Sequence, residues 1–222
     1  MQASSTIPIV TTASAEPIAN GFATSLAHPG RNLTGFAFDV TYETYGLRLQ
    51  LLKEISARTS RVAAVWNPDA IERRALEATQ EAAKRLGVTV TSHEVRRIAD
   101  FEPTFRSILR EADDGMIVFT EGLTYARRQD FIDFAARERI PTMYGSRESV
   151  DDGGLISYGV SLLAIYRRAA VFVDKILRGA NPGDLPIELP TILELVINVR
   201  TAKAIGLAIP ESFLVRADEV IE

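Results

Sequence analysis

The stretch Arg61–Val95, RVAAVWNPDAIERRALEATQEAAKRLGVTVTSHEV, decides the fold. After its opening arginine, Val62 to Trp66 is an unbroken apolar run of strand length, the pattern of a strand covered on both faces. Asn67 can cap a helix, and Pro68 suits a helix's first turn. Ile71, Ala75, Ala78, Ala82 and Leu86 then recur at helical spacing. Gly87 ends that helix as a C-cap glycine. Val88 to Val95 alternates as a second strand. Strand, helix and strand in so short a span make a parallel βαβ unit.

The same alternation extends in both directions. Before this unit, Ile7 to Thr11 reads as a buried strand, Pro17 to Ala27 as a helix, Leu33 to Phe38 as a strand and Thr41 to Ala57 as a helix. The last carries Leu47, Leu51, Leu52 and Ile55 on one face. After it come a helix opened by Asp100, a strand at Met116–Phe119, a helix over Tyr125–Arg139, and short strands at 140–145 and 154–159. Leu162 to Leu177 is the strongest helix, with Leu162, Tyr166, Ala169, Val173 and Ile176 as its stripe. A strand over Leu193–Val199 and a short helix at 201–206 follow. The expected class is α/β: doubly wound, mostly parallel sheets with helices on both faces. Such sheets carry ligands at the carboxyl ends of their strands.

Composition narrows the function. The 222 residues are 46% hydrophobic and 24% charged, ordinary for a globular protein and unlike a disordered one. No apolar run approaches a membrane span. With 25 basic and 29 acidic residues the formal charge is −4, which offers no footprint for nucleic acid. The absence of cysteine removes disulfides, thiolate metal sites and cysteine nucleophiles. The two histidines, His28 and His93, lie far apart. A zinc site would therefore take most of its ligands from Asp and Glu, and no metal is expected. No cofactor is expected either: phosphate-loop, Gly-x-Gly-x-x-Gly and Gly-x-Ser-x-Gly motifs are absent.

The candidate binding residues sit where strands end. Thr12, Ala13 and Ser14 belong to a strand-to-helix loop of small and hydroxyl-bearing residues. Its N–H groups and hydroxyls suit a ligand carboxylate, and the same residues also read as plain capping. Asn67, after Trp66, either orients a ligand or caps its helix. Thr120 and Glu121 follow the next strand, and Glu121 can receive an ammonium group or face solvent. Tyr144, Ser146 and Tyr158 stand at strand ends beside glycines. A tyrosine ring with one hydroxyl suits a small amphipathic molecule, or the edge of a core. Asp151-Asp152 before Gly-Gly reads as a turn.

Taken together these segments resemble a known family. They include Thr6-Ile-Pro-Ile-Val10, Leu26-Ala-His-Pro-Gly-Arg-Asn-Leu-Thr-Gly35, Leu49-Gln-Leu-Leu-Lys-Glu54 and Arg61-Val-Ala-Ala-Val-Trp-Asn-Pro68. Pro141-Thr-Met-Tyr-Gly145, Gly153-Gly-Leu-Ile-Ser-Tyr-Gly159, Glu194-Leu-Val-Ile-Asn198 and Arg216-Ala-Asp-Glu-Val-Ile221 continue the match in order. The chain resembles the ABC-transporter substrate-binding proteins of the tryptophan/tyrosine type, which share a type I periplasmic-binding-protein fold. The resemblance implies two lobes, with 1–57 and 147–222 as a first lobe lacking its N-terminal part and 58–146 as the second. It implies a small molecule, such as an amino acid, held in an interlobe cleft and delivered to an ABC permease in the inner membrane. It also implies a periplasmic or extracellular, lipoprotein-like location. The start of the chain shows no signal peptide. One departure stands in the first loop, where Ala15-Glu16-Pro17 replaces the family's frequent Gly-Asp-Pro. An incomplete lobe would expose sheet edges and favour self-association. Two other readings stay open: a racemase- or isomerase-type enzyme on a related scaffold, and a sensory binding module. The expected function is binding without catalysis.

Overall fold

The computed structural model describes residues 4–14, 17–18, 20–37, 41–71, 73–190 and 192–222. Its elements run β1 (Ile9–Ser14), β2 (Leu33–Ala37), α1 (Tyr42–Ile55), β3 (Arg61–Trp66), α2 (Arg73–Leu86), β4 (Thr89–Glu94), α3 (Phe101–Arg110) and β5 (Gly115–Val118). Then come α4 (Gly122–Ala126), α5 (Arg128–Glu138), β6 (Thr142–Tyr144), α6 (Arg147–Asp151), β7 (Ile156–Val160) and α7 (Leu162–Leu177). The last are β8 (Ile187–Glu188), β9 (Leu193–Asn198), α8 (Val199–Ala204), α9 (Glu211–Leu214) and β10 (Glu219–Ile221). Two compact units result: Met1–Val40 with Val160–Leu193, and Thr41–Gly159 with Glu194–Glu222. These bounds differ from the expected lobes. α1 and the carboxyl-terminal elements from β9 onward join the larger unit, because α1 packs on α2 and β9 continues the larger unit's sheet.

The larger unit is a seven-stranded sheet in the order β10-β9-β7-β6-β5-β3-β4. Each described pairing is parallel, with β3 and β4 in continuous register from Arg61↔Thr89 to Trp66↔Glu94. β3 is the apolar run of the sequence, and Val62 to Trp66 are all buried. On one face Ala63 and Val65 meet a cluster with Phe101 and Phe105 of α3, and Phe131 and Phe134 of α5. Phe105 and Phe134 stack there, with ring centroids 4.3 Å apart and planes 9° from parallel. On the other face Tyr45 of α1 lies against Phe119, just beyond β5, at 4.8 Å. Burial on both faces is what a parallel sheet requires. At the amino end of the sheet, the Asp114 carboxylate accepts from Ser60 N at 2.8 Å, Arg61 N at 2.8 Å and Ser60 Oγ at 2.9 Å. These bonds clamp the entry to β3 against the entry to β5.

The smaller unit holds the parallel sheet β1-β2-β8 and α7. Ser161 caps α7 through its Oγ, which accepts from Ala164 N. The stripe α7 buries is Ile165, Ala169 and Phe172, with Phe172 edge-on to Phe36 of β2 at 5.4 Å. The expected stripe is displaced: Tyr166 is 59% exposed and Val173 43%. Apolar residues surround α7, so periodicity allows more than one stripe, and the contact with β2 selects the one bearing Phe172.

Two other expectations change locally. The segment 17–27 forms turns among its described residues, not a helix. Phe22 N and Ala23 N both donate to Pro17 O, and Gly21 takes a φ of +69° that interrupts any helix. The single helix expected over 125–139 is two, because Arg127 (φ −112°, ψ 24°) leaves helical geometry between α4 and α5. Among the described residues, no helix is long and apolar enough to cross a membrane.

Candidate functional site

The strand order itself selects the candidate site. β3 has β4 on one side and β5 on the other. The chain leaving β3 enters α2, which packs with α1. The chain leaving β5 runs through α4 to α5, on the opposite face with α3. Connections that diverge from adjacent strands open a crevice at their carboxyl ends, and ligands of open α/β sheets bind there. Asn67 follows β3, and Thr120 and Glu121 follow β5, so these three flank that switch point.

Each is already held. Asn67 is buried, and its Oδ1 accepts from Asp69 N at 3.0 Å while its carbonyl accepts from Ala70 N and Ile71 N. Thr120 Oγ1 accepts from Gly145 N at 3.2 Å, tying the β5 exit to the β6 exit. Glu121 caps α4: Oε2 accepts from Leu123 N at 2.9 Å and Oε1 from Thr124 N at 2.8 Å. A carboxylate that accepts one bond at each oxygen keeps free lone pairs for a ligand donor. Ser146 is buried and shares a 2.9 Å hydroxyl contact with Ser149.

Tyr158 and Tyr144 part company. Tyr158 is half-buried on β7. Tyr144 is 1% exposed and belongs to the core on the α3–α5 face. Among the described residues its hydroxyl has no hydrogen-bond partner, and burial pushes its ionisation well above the ordinary tyrosine range, with Thr142 opposing and Asp133 reinforcing that shift. Its ring fills space; it offers no accessible surface. Trp66 likewise lies in the core, its indole N–H donating to Ser92 Oγ at 2.9 Å.

Sequence reasoning missed Arg48. This α1 residue is 3% exposed, and its Nε donates to the Tyr158 carbonyl at 2.7 Å. Its guanidinium carbon lies 5.0 Å from the Tyr45 ring centre. Desolvation pulls its ionisation below the ordinary arginine range, and Tyr45, then Tyr158, oppose that shift. Two glycines make the space. A Cβ on Gly145 would lie 2.8 Å from Arg48 Nη2, and one on Gly159 would lie 1.9 Å from the Gly145 carbonyl oxygen. Only glycine permits so close an approach of the β6 and β7 exits. A signal was present: Tyr45, Arg48, Leu52 and Ile55 fall on one helical stripe, which puts a charge inside an apolar row.

In the smaller unit, Thr12, Ala13 and Ser14 end β1. The β1–β2 register shifts there, with Thr11 opposite Gly35 but Ser14 opposite Ala37. One extra residue on β1 is a bulge. Ala15 and Glu16, the point of departure from the family's loop, lie outside the described residues.

A family model described as ABC transporter substrate binding protein matches residues 1–221. A protein named tyrosine-binding protein, from Clostridioides difficile, is 23% identical over 202 residues, which is 90% of this chain and 57% of that protein. The chain thus spans little more than half the length of that relative. A conserved domain protein from Vibrio cholerae is 28% identical with a TM-score of 0.82, over 98% of this chain and 73% of that one. An ABC domain from Streptococcus pneumoniae, crystallised with L-Trp, is similar in fold: TM-score 0.81 at 22% identity, over 99% of this chain and 75% of that one. The parallel sheets, the switch point and a family match along nearly the whole length agree, and the chain belongs to the ABC transporter substrate-binding protein family.

Proposed function

We propose that the protein captures a small amino-acid-like solute without converting it and delivers it to an ABC permease, working outside the cytoplasmic membrane. The observation that carries this reading is the polar set at the β3–β5 switch point, Asn67, Thr120 and Glu121, in a chain of this family. Glu121 receives the solute ammonium through its free lone pairs. Asn67 and Thr120 orient the neighbouring polar atoms. Thr12, Ala13 and Ser14, in the smaller unit, carry N–H groups and hydroxyls that suit a carboxylate. Tyr158 and Ser146 complete the set, and Tyr144 supports it from the core. Arg48 is a positioning residue: its bond to the Tyr158 carbonyl sets the β7 exit. An aromatic side chain is favoured because the relatives' names refer to tyrosine and L-Trp.

Calorimetric titration with L-tyrosine and L-tryptophan tests this, with the ligand recovered and analysed afterwards. Saturable binding, an unaltered ligand, and affinity about tenfold lower in Thr120→Val (~1.4 kcal/mol) are expected. Lack of binding by any amino acid would overturn the solute class. A chemically altered ligand would favour the enzyme reading instead.

A further inference from the structure

A second cluster lies apart from the strand-exit loops. β4 and the turn between α3 and β5 bring together His93, Glu111 and Asp113, with one ligand-capable atom of each within 4.8 Å of the others. The Asp113 side chain has no exposed surface, and that of His93 is 6% exposed. Asp113 Oδ2 accepts from Thr91 Oγ1 at 2.9 Å and lies 3.3 Å from His93 Nε2. Among the described residues, Asp113 Oδ1 is buried with no hydrogen-bond donor. Arg61 Nε lies 3.8 Å from it and donates instead to the Glu111 carbonyl at 3.0 Å. A buried carboxylate with one oxygen unsatisfied is costly and calls for a partner.

We propose that His93, Asp113 and Glu111 form a binding site for a divalent transition-metal ion of the zinc class. One imidazole and two carboxylates are a donor set that suits such an ion better than magnesium or calcium, which prefer oxygen alone. Bonds of about 2.0–2.2 Å at a tetrahedral centre separate ligand atoms by about 3.3–3.5 Å. His93 Nε2 and Asp113 Oδ2 already stand at that separation. Glu111, whose side chain is 36% exposed, completes the triad, its ligand atom within 4.8 Å of the other two. Three protein ligands leave a fourth position for water. Thr91 holds Asp113, and Ser107 Oγ donates to Glu111 Oε1 at 2.9 Å, so two ligands have outer-shell partners. Arg61 is the competitor: its side chain is 39% exposed and swings into solvent when the ion enters. With no cysteine and only His28 besides His93, the chain offers little background for zinc.

The test is titration of the purified chain with Zn²⁺ against a chromophoric chelator, with folding of each variant checked by circular dichroism. One equivalent is expected to bind. His93→Gln should weaken binding by about tenfold or more, and His28→Gln should leave it unchanged. Arg61→Gln keeps all three ligands and removes the competing charge, so it should tighten binding. A purely structural Arg61–Asp113–His93 network would not produce that gain. No stoichiometric uptake, uptake indifferent to His93→Gln, or no tightening in Arg61→Gln would each overturn the site.

Discussion

Tyr144 and Arg48 are both polar residues taken out of water, and their surroundings give them opposite characters. The Tyr144 hydroxyl has neither solvent nor acceptor, so removing it relieves a desolvated donor. Tyr144→Phe should be neutral or stabilising, within about 1 kcal/mol. It also bears on alkaline stability. An unfolded tyrosine ionises near pH 10, whereas burial holds Tyr144 protonated above that. Above about pH 10 the unfolded chain therefore releases a proton that the folded chain keeps, and stability falls as pH rises. Urea titrations at about pH 9 and about pH 11 should show a smaller loss in Tyr144→Phe than in the wild type. An equal loss in both would refute the buried assignment. Arg48 instead donates through Nε to the Tyr158 carbonyl. Arg48→Lys keeps the charge but cannot reproduce that planar, fixed donor. It should weaken solute binding while leaving the fold intact, read by the same calorimetric titration.

At the scale of elements, α7 shows what helical periodicity does and does not say. Its length is legible in the sequence, because it depends on neighbours along the chain. Which stripe it buries is not, because apolar residues occur all round it. Phe172 packs on Phe36 and is 4% exposed, whereas Tyr166 stands in solvent. Phe172→Ala should cost about 3–5 kcal/mol through cavity formation. Tyr166→Ser should change stability by no more than about 0.5 kcal/mol. Urea unfolding followed by circular dichroism distinguishes them, and a large loss in Tyr166→Ser with little in Phe172→Ala would mean that the stripe expected from periodicity is the buried one. The turn region 17–27 makes the same point. Ile18, Phe22 and Leu26 have helical spacing, but Gly21 in a left-handed conformation breaks the run before a helix forms.

The whole molecule consists of two units with separate cores. The larger sheet has seven strands, with β3 buried on both faces; the smaller has three, one of them only two residues long. The smaller should open first, since local stability follows buried apolar contact. The single tryptophan, Trp66, sits in β3 of the larger unit and reports on it alone. Circular dichroism should therefore begin to change at lower urea than Trp66 fluorescence does. Coincident transitions would show instead that the units unfold together. By itself the sequence determined the α/β class, the double burial of β3 and the strand-exit loops that carry Asn67, Thr120 and Glu121. All of these follow from side-chain periodicity and turn chemistry within a few neighbouring residues. Only the tertiary structure decided that β3 lies between β4 and β5, that α1 joins the larger unit, that Arg48 is buried, and that His93 meets Asp113. Those facts depend on contacts between residues distant in the chain, which local patterns do not encode.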